Sequence, residues 1–186
     1  MKQTFGAFRI ATRVCVAAAI AGSTLPADAA EIFLRLGAIR GESTVAGHEG
    51  DIELLSYSQS FRAGELPVSG GGGPGRSTCG EVTVIKQIDR SSPVLIARVL
   101  QNANVGSADI TFRGSTGNAV EYYRVRLTDV FITAIEQTDQ PDPQRIVERV
   151  SLRARAFRFE YFPQGPTGGP TGSVTFAWDC DLQRPS

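Results

Sequence analysis

One stretch of the sequence has the residue types and the spacing of a phosphate-binding loop. Residues 70–77 read GGGGPGRS, so that Gly70 and Gly75 are separated by four residues and followed by Arg76 and Ser77. The nucleotide-binding pattern G-x-x-x-x-G-K-[ST] has this spacing, with a lysine where this chain has an arginine. In such a loop, backbone amides and the start of the following helix hold the phosphates.

The sequence after this glycine stretch argues against a nucleotide site. The residues that follow Ser77 read TCGEVTVIKQI, and their alternation of polar and apolar residues predicts a strand. A phosphate would therefore find no helix N-terminus here, and the lysine that reaches the outer phosphates is replaced. The glycine-rich stretch is interpreted as a loop between two strands.

The single histidine offers a second starting point for chemistry. His48 lies beside Glu49 and Asp51, and an imidazole with two carboxylates is a possible set of metal ligands. More often, such a histidine lies in a solvated loop. The chain contains no H-E-x-x-H, C-x-x-C or G-x-S-x-G pattern. We find no catalytic constellation and expect no cofactor.

The N-terminus has the layout of a secretory signal peptide. A basic segment, MKQTFGAFRIATR, precedes the apolar stretch VCVAAAIA, which is far shorter than the roughly 20 residues of a membrane span. The sequence A-D-A at 27–29 fits the small-x-small rule and predicts cleavage between Ala29 and Ala30. An ordinary N-terminal helix is the alternative interpretation.

Cleavage would leave residues 30–186, which suits a single domain. Three of the 19 basic residues and one of the 19 acidic residues lie in 1–29, so the mature chain would carry a net charge of −2. This charge gives no reason to expect nucleic acid or an anionic membrane as a partner, and no second apolar run has membrane length. An exported chain would be secreted or periplasmic, whereas an uncleaved chain would be cytoplasmic before secretion.

Two cysteines would remain after cleavage, Cys79 and Cys180. In an oxidising compartment such a pair suggests one disulfide. The alternation of strand faces complicates this bond. Cys180 would lie on the same face as the large apolar residues of VTFAWD, whereas Cys79 would lie on the same face as Glu81 and Thr83. The bond therefore requires a bulge at Gly80 or a cysteine that lies before the strand proper. Two separate buried thiols are the alternative.

The dominant pattern is alternation with period two, which predicts mainly β-structure. Shorter strands are expected at 32–36, 51–61, 80–88, 108–113 and 174–178. Two longer runs, 121–137 and 145–162, flank the turn sequence TDQPDPQ and should form one large antiparallel hairpin. In the second run the apolar phase flips after Ala156, which predicts a bulge or a strand that passes from one covered face to another, as closure of a barrel requires.

One short helix is expected between the strands. Residues 89–102 read DRSSPVLIARVLQN, in which Ser92 suits the N-cap and Pro93 suits the first helical position. Because the helix is short, packing against the sheet must stabilise it.

The order of these segments resembles the haemolysin-coregulated protein family, Hcp. FLRLGAIRGES and HEGDIELLSYSQSF are similar to the opening of that family, and a glycine-rich loop, SGGGGPGR, follows. The series continues with VTVIKQIDRSSPVLIARVL, VEYYRVRLTDVFITAI, VERVSLRARAFRFEYFP and VTFAWD, so that the resemblance spans Ile32 to Asp179. No single motif is very specific, but the ordered series is.

Members of this family form the tubes of bacterial type VI secretion systems. The resemblance implies an antiparallel β-barrel flanked by one short α-helix. It also implies a homohexameric ring, and rings that stack into a hollow tube. The partners it implies are effector cargo inside the tube and other components of the secretion system. It implies no active site. Two features depart from the family: the apparent signal peptide, which would send the chain to the periplasm before assembly, and the pair of cysteines.

In a stacked ring the glycine-rich loop gains a function, because it can order against the next ring and control stacking. A disordered hairpin tip is the alternative. The loop residues concerned are Gly64, Gly70, Gly71, Gly72, Gly73, Gly75 and Arg76. The chain is interpreted as a ring-forming tube subunit, or else as an exported Hcp-like binding module that acts outside the cytoplasm without tube assembly; an enzyme is least favoured.

Overall fold

The computed structural model describes residues 30–64, 75–114, 119–140, 145–165 and 169–186. The predicted signal peptide, residues 1–29, and the loop glycines at 70–73 lie outside this part of the chain. Within it, the helix and strands have the bounds β1 Glu31–Leu36, β2 Ile52–Leu54, β3 Ser56–Ser58, β4 Phe61–Arg62, β5 Thr78–Cys79, β6 Val82–Gln87, α1 Ser92–Leu100, β7 Asn104–Arg113, β8 Glu121–Gln140, β9 Arg145–Tyr161 and β10 Val174–Asp179.

One antiparallel sheet contains most of the strands, in the order β2-β1-β7-β8-β9-β6-β3, with β10 paired to β9. Only Leu55 separates β2 from β3, so one short segment pairs with β1 on one side and with β6 on the other. The backbone N–H of Leu55 also donates to the carbonyl of Ile85 at 2.7 Å. The sheet thereby curves back on itself, and the predicted antiparallel β-barrel with one short helix is confirmed.

The long hairpin of β8 and β9 switches its buried face where the sequence predicted a phase flip. In β8 the buried positions change from odd to even numbers at Asp129, whose φ is 53°. Opposite this residue, β9 changes phase between Ala154 and Phe157. Aspartate tolerates the left-handed region better than most residues, and Arg155 pairs with its carboxylate at 2.7 Å. Buried residues on both sides of the flip belong to one core cluster, so the hairpin does not pass to a second covered face.

The helix is attached to the barrel through its first turn and through Leu95, which is buried in the core. The helix begins at Ser92, with Ser91 at the N-cap position and Pro93 in the first turn. The prediction that Ser92 is the N-cap is therefore wrong by one residue. The Asp89 carboxylate accepts the Ser91 N–H at 2.9 Å. The Ser92 hydroxyl accepts the Asp89 N–H at 3.1 Å and also forms hydrogen bonds inside the barrel.

A buried cluster of polar side chains lies under the start of the helix. Lys86 and Glu148 are opposite each other in the β6–β9 ladder, and both are fully buried. The Lys86 ammonium lies 2.8 Å from the Glu148 carboxylate and 2.9 Å from that of Asp89. The Ser92 hydroxyl donates to Glu148 at 2.6 Å, and the Gln137 amide donates to its other oxygen at 2.7 Å. The cluster therefore links β6, β8, β9 and α1.

The contacts in this cluster determine the charge state of Glu148. Burial alone would raise the pKa of Glu148, but hydrogen bonds from Lys86, Ser92 and Gln137, together with the charge of Lys86, outweigh burial and lower that pKa below its ordinary value. Because the pKa is lower in the folded state, the ionised carboxylate stabilises the fold above the pKa of the unfolded chain. This stabilisation is lost as the pH falls through the folded-state value.

We expect Lys86→Ala to lower the free energy of unfolding by about 3–5 kcal/mol, because it leaves the buried Glu148 carboxylate without its cation. Glu148→Ala should cost less, because the Lys86 ammonium keeps the Asp89 carboxylate at 2.9 Å. Urea unfolding of the oxidised protein measures the loss. The matched control is the double variant Lys86→Met/Glu148→Leu, which removes both charges while retaining side-chain volume and should cost much less. A double variant as unstable as Lys86→Ala would contradict the ion-pair interpretation.

A pH titration of stability provides a second readout of the same cluster. As the pH falls below about 4.3, the ordinary pKa of glutamate, the free energy of unfolding of the wild-type chain should fall more steeply than that of Glu148→Gln. The variant carries no titrating group at this position, so its curve should be flatter over this window. Parallel curves would show that folding does not lower the pKa of Glu148.

Candidate functional site

The two described ends of the glycine-rich stretch, Gly64 and Gly75, lie side by side and are called the loop neck. Gly64 and Gly75 approach so closely that a Cβ on Gly64 would collide with the backbone of Gly75. Next to them, Phe61–Arg62 of β4 pairs antiparallel with Thr78–Cys79 of β5. The loop neck therefore lies at a two-stranded hairpin that is separate from the main sheet.

A disulfide joins this hairpin to the segment after β10. Cys79 bonds to Cys180 across 101 residues of sequence, with their Cα atoms 6.1 Å apart. Cys79 lies in β5, before β6 begins at Val82, which is one of the two arrangements that strand parity requires. Between these strands the Gly80 N–H donates to the carbonyl of Ser60, and a Cβ on Gly80 would collide with that residue.

The two residues that complete the phosphate-loop pattern contact the same segment. The Arg76 guanidinium donates to the carbonyl of Asp181 at 2.8 Å, and the Ser77 hydroxyl donates to the Gln183 side chain at 2.8 Å. Neither residue precedes a helix, since β5 follows them directly. Arg76 and Ser77 therefore anchor the loop neck to the chain after β10 rather than forming a phosphate site.

An apolar groove of about 500 Å³ lies beside the disulfide. Its aromatic lining comprises Phe61, Phe159, Phe176 and Trp178. Phe61 packs edge-on against Phe159 with 5.6 Å between ring centroids, yet Phe61 and Phe176 remain 52% and 53% exposed. On its other edge β10 bonds to Arg184 and Ser186 through Asp179 and Ala177, so within the described residues the edge is open over the first part of the strand, next to the groove. Loop neck, disulfide, groove and open edge together form the candidate assembly region.

His48 is not the solvated loop residue that the sequence suggested. Its ring stacks on Phe33 with 4.2 Å between centroids, and its Nδ1 lies 3.1 Å from the buried carboxylate of Asp51. Arg35 donates to both oxygens of that carboxylate, at 3.0 and 3.1 Å, and this contact raises the pKa of Arg35. His48 thus helps to satisfy a buried aspartate. Among the described residues no group of three or more His, Cys, Asp or Glu side chains could hold a metal ion.

Paired charges cover part of the surface of β7, β8 and β9. Arg126 pairs with Asp109 at 2.7 Å, and Arg158 pairs with Glu160 at 3.0 Å. Arg124 extends this row through its contact with Glu121 at 2.7 Å. Exposed pairs of this kind contribute little stability individually, but they make the surface strongly hydrophilic.

Comparison with known proteins identifies the family. The sequence model of the protein family described as "Type VI secretion system effector, Hcp" matches residues 33–161 of this chain. The chain belongs to the Hcp family. It is 28% identical over 154 residues to Protein hcp1 of Pseudomonas aeruginosa, an alignment that covers 81% of this chain and 95% of that protein.

Solved structures of Hcp proteins share the fold. A structure described as that of a type six secretion system protein has a TM-score of 0.79 at 20% identity and covers 85% of this chain and 100% of its own. Hcp1 from Salmonella typhimurium has a TM-score of 0.72 at 24% identity, over 85% of this chain and 99% of its own. In the described part of this Hcp chain, no helix has the length and apolar character needed to cross a membrane.

We expect the mature chain, residues 30–186, to contain no free thiol when it is unfolded without reductant. Because the disulfide closes a loop of 101 residues, replacing both cysteines with serine should lower the free energy of unfolding by about 4.7 kcal/mol in the chain-entropy model. Thiol titration and urea unfolding measure the two effects. Two titratable thiols in the wild-type chain would contradict the bond.

Proposed function

We propose that this Hcp chain is a ring-forming structural subunit of a type VI secretion tube. The observation that carries the proposal is the family match, which covers most of the barrel, together with the alignment over 95% of hcp1. Hcp is a family of structural secreted proteins, and we propose that this chain likewise has no enzymatic activity. Its partners are further copies of itself in a homohexameric ring, stacked rings, effector cargo and other secretion components.

The candidate assembly region supports a function in stacking. Two of its four aromatic side chains, Phe61 and Phe176, are half exposed, and assembly with another copy would remove them from water. The loop neck is held by β4, β5 and the disulfide. We propose that the glycine-rich residues between its two ends order against the adjacent ring.

The disulfide favours a second candidate function. Disulfides persist in oxidising compartments, and the bond therefore agrees with export through a signal peptide ahead of Ala30. An exported chain would be separated from cytoplasmic tube assembly. The second candidate is an Hcp-like binding module that acts in the periplasm or outside the cell without forming a tube.

Light scattering on the purified mature protein should give a mass about six times that of the protomer, as the family resemblance implies. Deleting residues 70–73 should weaken tube formation, seen by electron microscopy, while leaving the ring mass unchanged. The matched control replaces the same four glycines with serine and so retains the loop length. A protomer mass at high concentration, in both redox states, would leave only the binding module.

The N-terminus of the protein recovered from its native host distinguishes the two candidate functions further. Mass spectrometry should show a chain that begins at Ala30, or at Glu31 if cleavage occurs one residue later. The control is a variant with Ala27→Asp and Ala29→Asp, which should remain uncleaved because charged side chains violate the small-residue rule. Recovery of intact wild-type residues 1–29 would contradict export and favour the cytoplasmic tube subunit.

A further inference from the structure

The hairpin of β4 and β5 depends on contacts outside itself for its position. Its ladder, as far as the structure describes it, consists of the pairs Phe61 with Cys79 and Arg62 with Thr78. Two-residue connections, 59–60 and 80–81, separate it from β3 and β6 in the main sheet. An isolated two-stranded hairpin is at best marginally stable in water. Contacts with β9 and with the end of β10 must therefore hold it in place.

The noncovalent contacts of this hairpin are partly exposed to water. Phe61 packs edge-on against Phe157 and Phe159, with 5.6 Å between ring centroids in both pairs, but it remains 52% exposed. Arg76 and Ser77, just before β5, form hydrogen bonds with the segment after β10 at exposed or half-buried positions. Each contact of this kind stabilises the docked hairpin only slightly, because water competes for the same groups.

The disulfide joins the two walls of the apolar groove. Cys79 belongs to the hairpin, which forms one wall, and Cys180 directly follows β10, which supplies Phe176 and Trp178 to the opposite wall. The bond therefore holds the hairpin against the end of β10. Without it, the exposed noncovalent contacts alone would have to keep the walls together.

The position of Cys79 makes the bond accessible to thiol–disulfide exchange. Its side chain is partly exposed and lines the open groove. A thiolate of a dithiol reductant can attack the Sγ of Cys79, so that Cys180 leaves as a thiolate and takes up a proton. The second thiol of the reductant then displaces Cys79, which takes up the second proton. The dithiol thereby gives up two electrons and two protons and becomes a disulfide.

We propose that the Cys79–Cys180 disulfide is a redox switch of the candidate assembly region. In the disulfide form the hairpin stays docked and the groove is complete. In the dithiol form the hairpin leaves β9 and β10, and the groove opens. The inference rests on the proposed stacking of rings and adds its regulation: the disulfide form stacks and the dithiol form does not. Because cytoplasmic thiols are kept reduced, a chain in a reducing compartment remains unstacked.

Hydrogen exchange tests the release of the hairpin in the folded protein. Reduction of the mature wild-type chain with dithiothreitol should speed amide exchange in residues 59–63 and 76–81 by about tenfold or more, because this part of the chain then opens locally. The peptides of β8 and β9 should keep their protection. Trp178, the single tryptophan of the chain, lines the groove, and its fluorescence emission should shift to longer wavelength as the hairpin uncovers it.

The matched control is the variant Cys79→Ser/Cys180→Ser. It should exchange like the reduced wild-type chain whether or not dithiothreitol is present, and reoxidation should restore slow exchange only in the wild-type chain. Unchanged exchange of residues 59–63 and 76–81 on reduction would overturn the switch. Loss of protection in β8 and β9 as well would also overturn it, because the bond would then maintain the whole fold rather than the hairpin.

Electron microscopy and light scattering connect the switch to assembly. The oxidised wild-type chain should form tubes, whereas the reduced chain and the double serine variant should show the mass of the ring without tubes. Tubes of equal length and number in the reduced chain would overturn the inference while the proposed ring function stands. An oxidised chain that remains a protomer at high concentration would overturn the ring function itself, and the regulation of stacking with it.

Discussion

The segment from Ile52 to Ser58 is paired on both sides, with β1 through its first half and with β6 through its second. This double pairing makes an open sheet into a barrel, because it removes the two long edges that β1 and β6 would otherwise expose to other chains. Ile52 and Leu54 face the core, whereas Leu55, at the bend, is exposed. The inward-facing residues of all the neighbouring strands depend on this closure for their burial.

The polar cluster around Lys86 and Glu148 ties the helix to this barrel. An apolar pair at these two positions would cost less desolvation, so the ion pair is not explained by stability alone. Its geometry is directional: Ser92 accepts from Lys86 at 3.0 Å and donates to Glu148 at 2.6 Å, which fixes the first turn of α1 over β6 and β9. A short helix with one fully buried leucine gains a defined position through these contacts.

Local patterns predicted the strands well because alternation reports which face of a strand is covered. The run 51–61 was nevertheless predicted as one strand, whereas the chain divides it into β2, β3 and β4, since a bend at Leu55 has no sequence signature of its own. The sequence did indicate that both residues of the ion pair face the core. Lys86 alternates in step with Val82 and Val84, and Glu148 alternates in step with Val150. Pairing between the two could not be read, because it depends on the register of β6 against β9.

Residues brought together from distant segments were beyond prediction for the same reason. The groove beside α1 that is lined by Arg40, Arg90 and Arg98 combines the chain after β1 with both ends of α1, and no spacing along the chain indicates that these arginines converge. His48 was similarly misjudged, because its neighbours in sequence are polar while its stacking partner, Phe33, is supplied by β1. The family resemblance identified the fold from the order of segments, whereas the surfaces specific to this chain required its three-dimensional arrangement.

The disulfide also has a consequence for the timing of maturation. Between Cys79 and Cys180 the chain contains β6, the helix, β7, the long hairpin and β10, so the two thiols can meet only after all of these elements have been synthesised, and the native fold then holds them together. The presence of the bond therefore indicates a chain that has been completed through its last strand. An oxidant that acts earlier finds an unpaired Cys79. A chain that ends before Cys180 cannot form the disulfide that holds the loop neck.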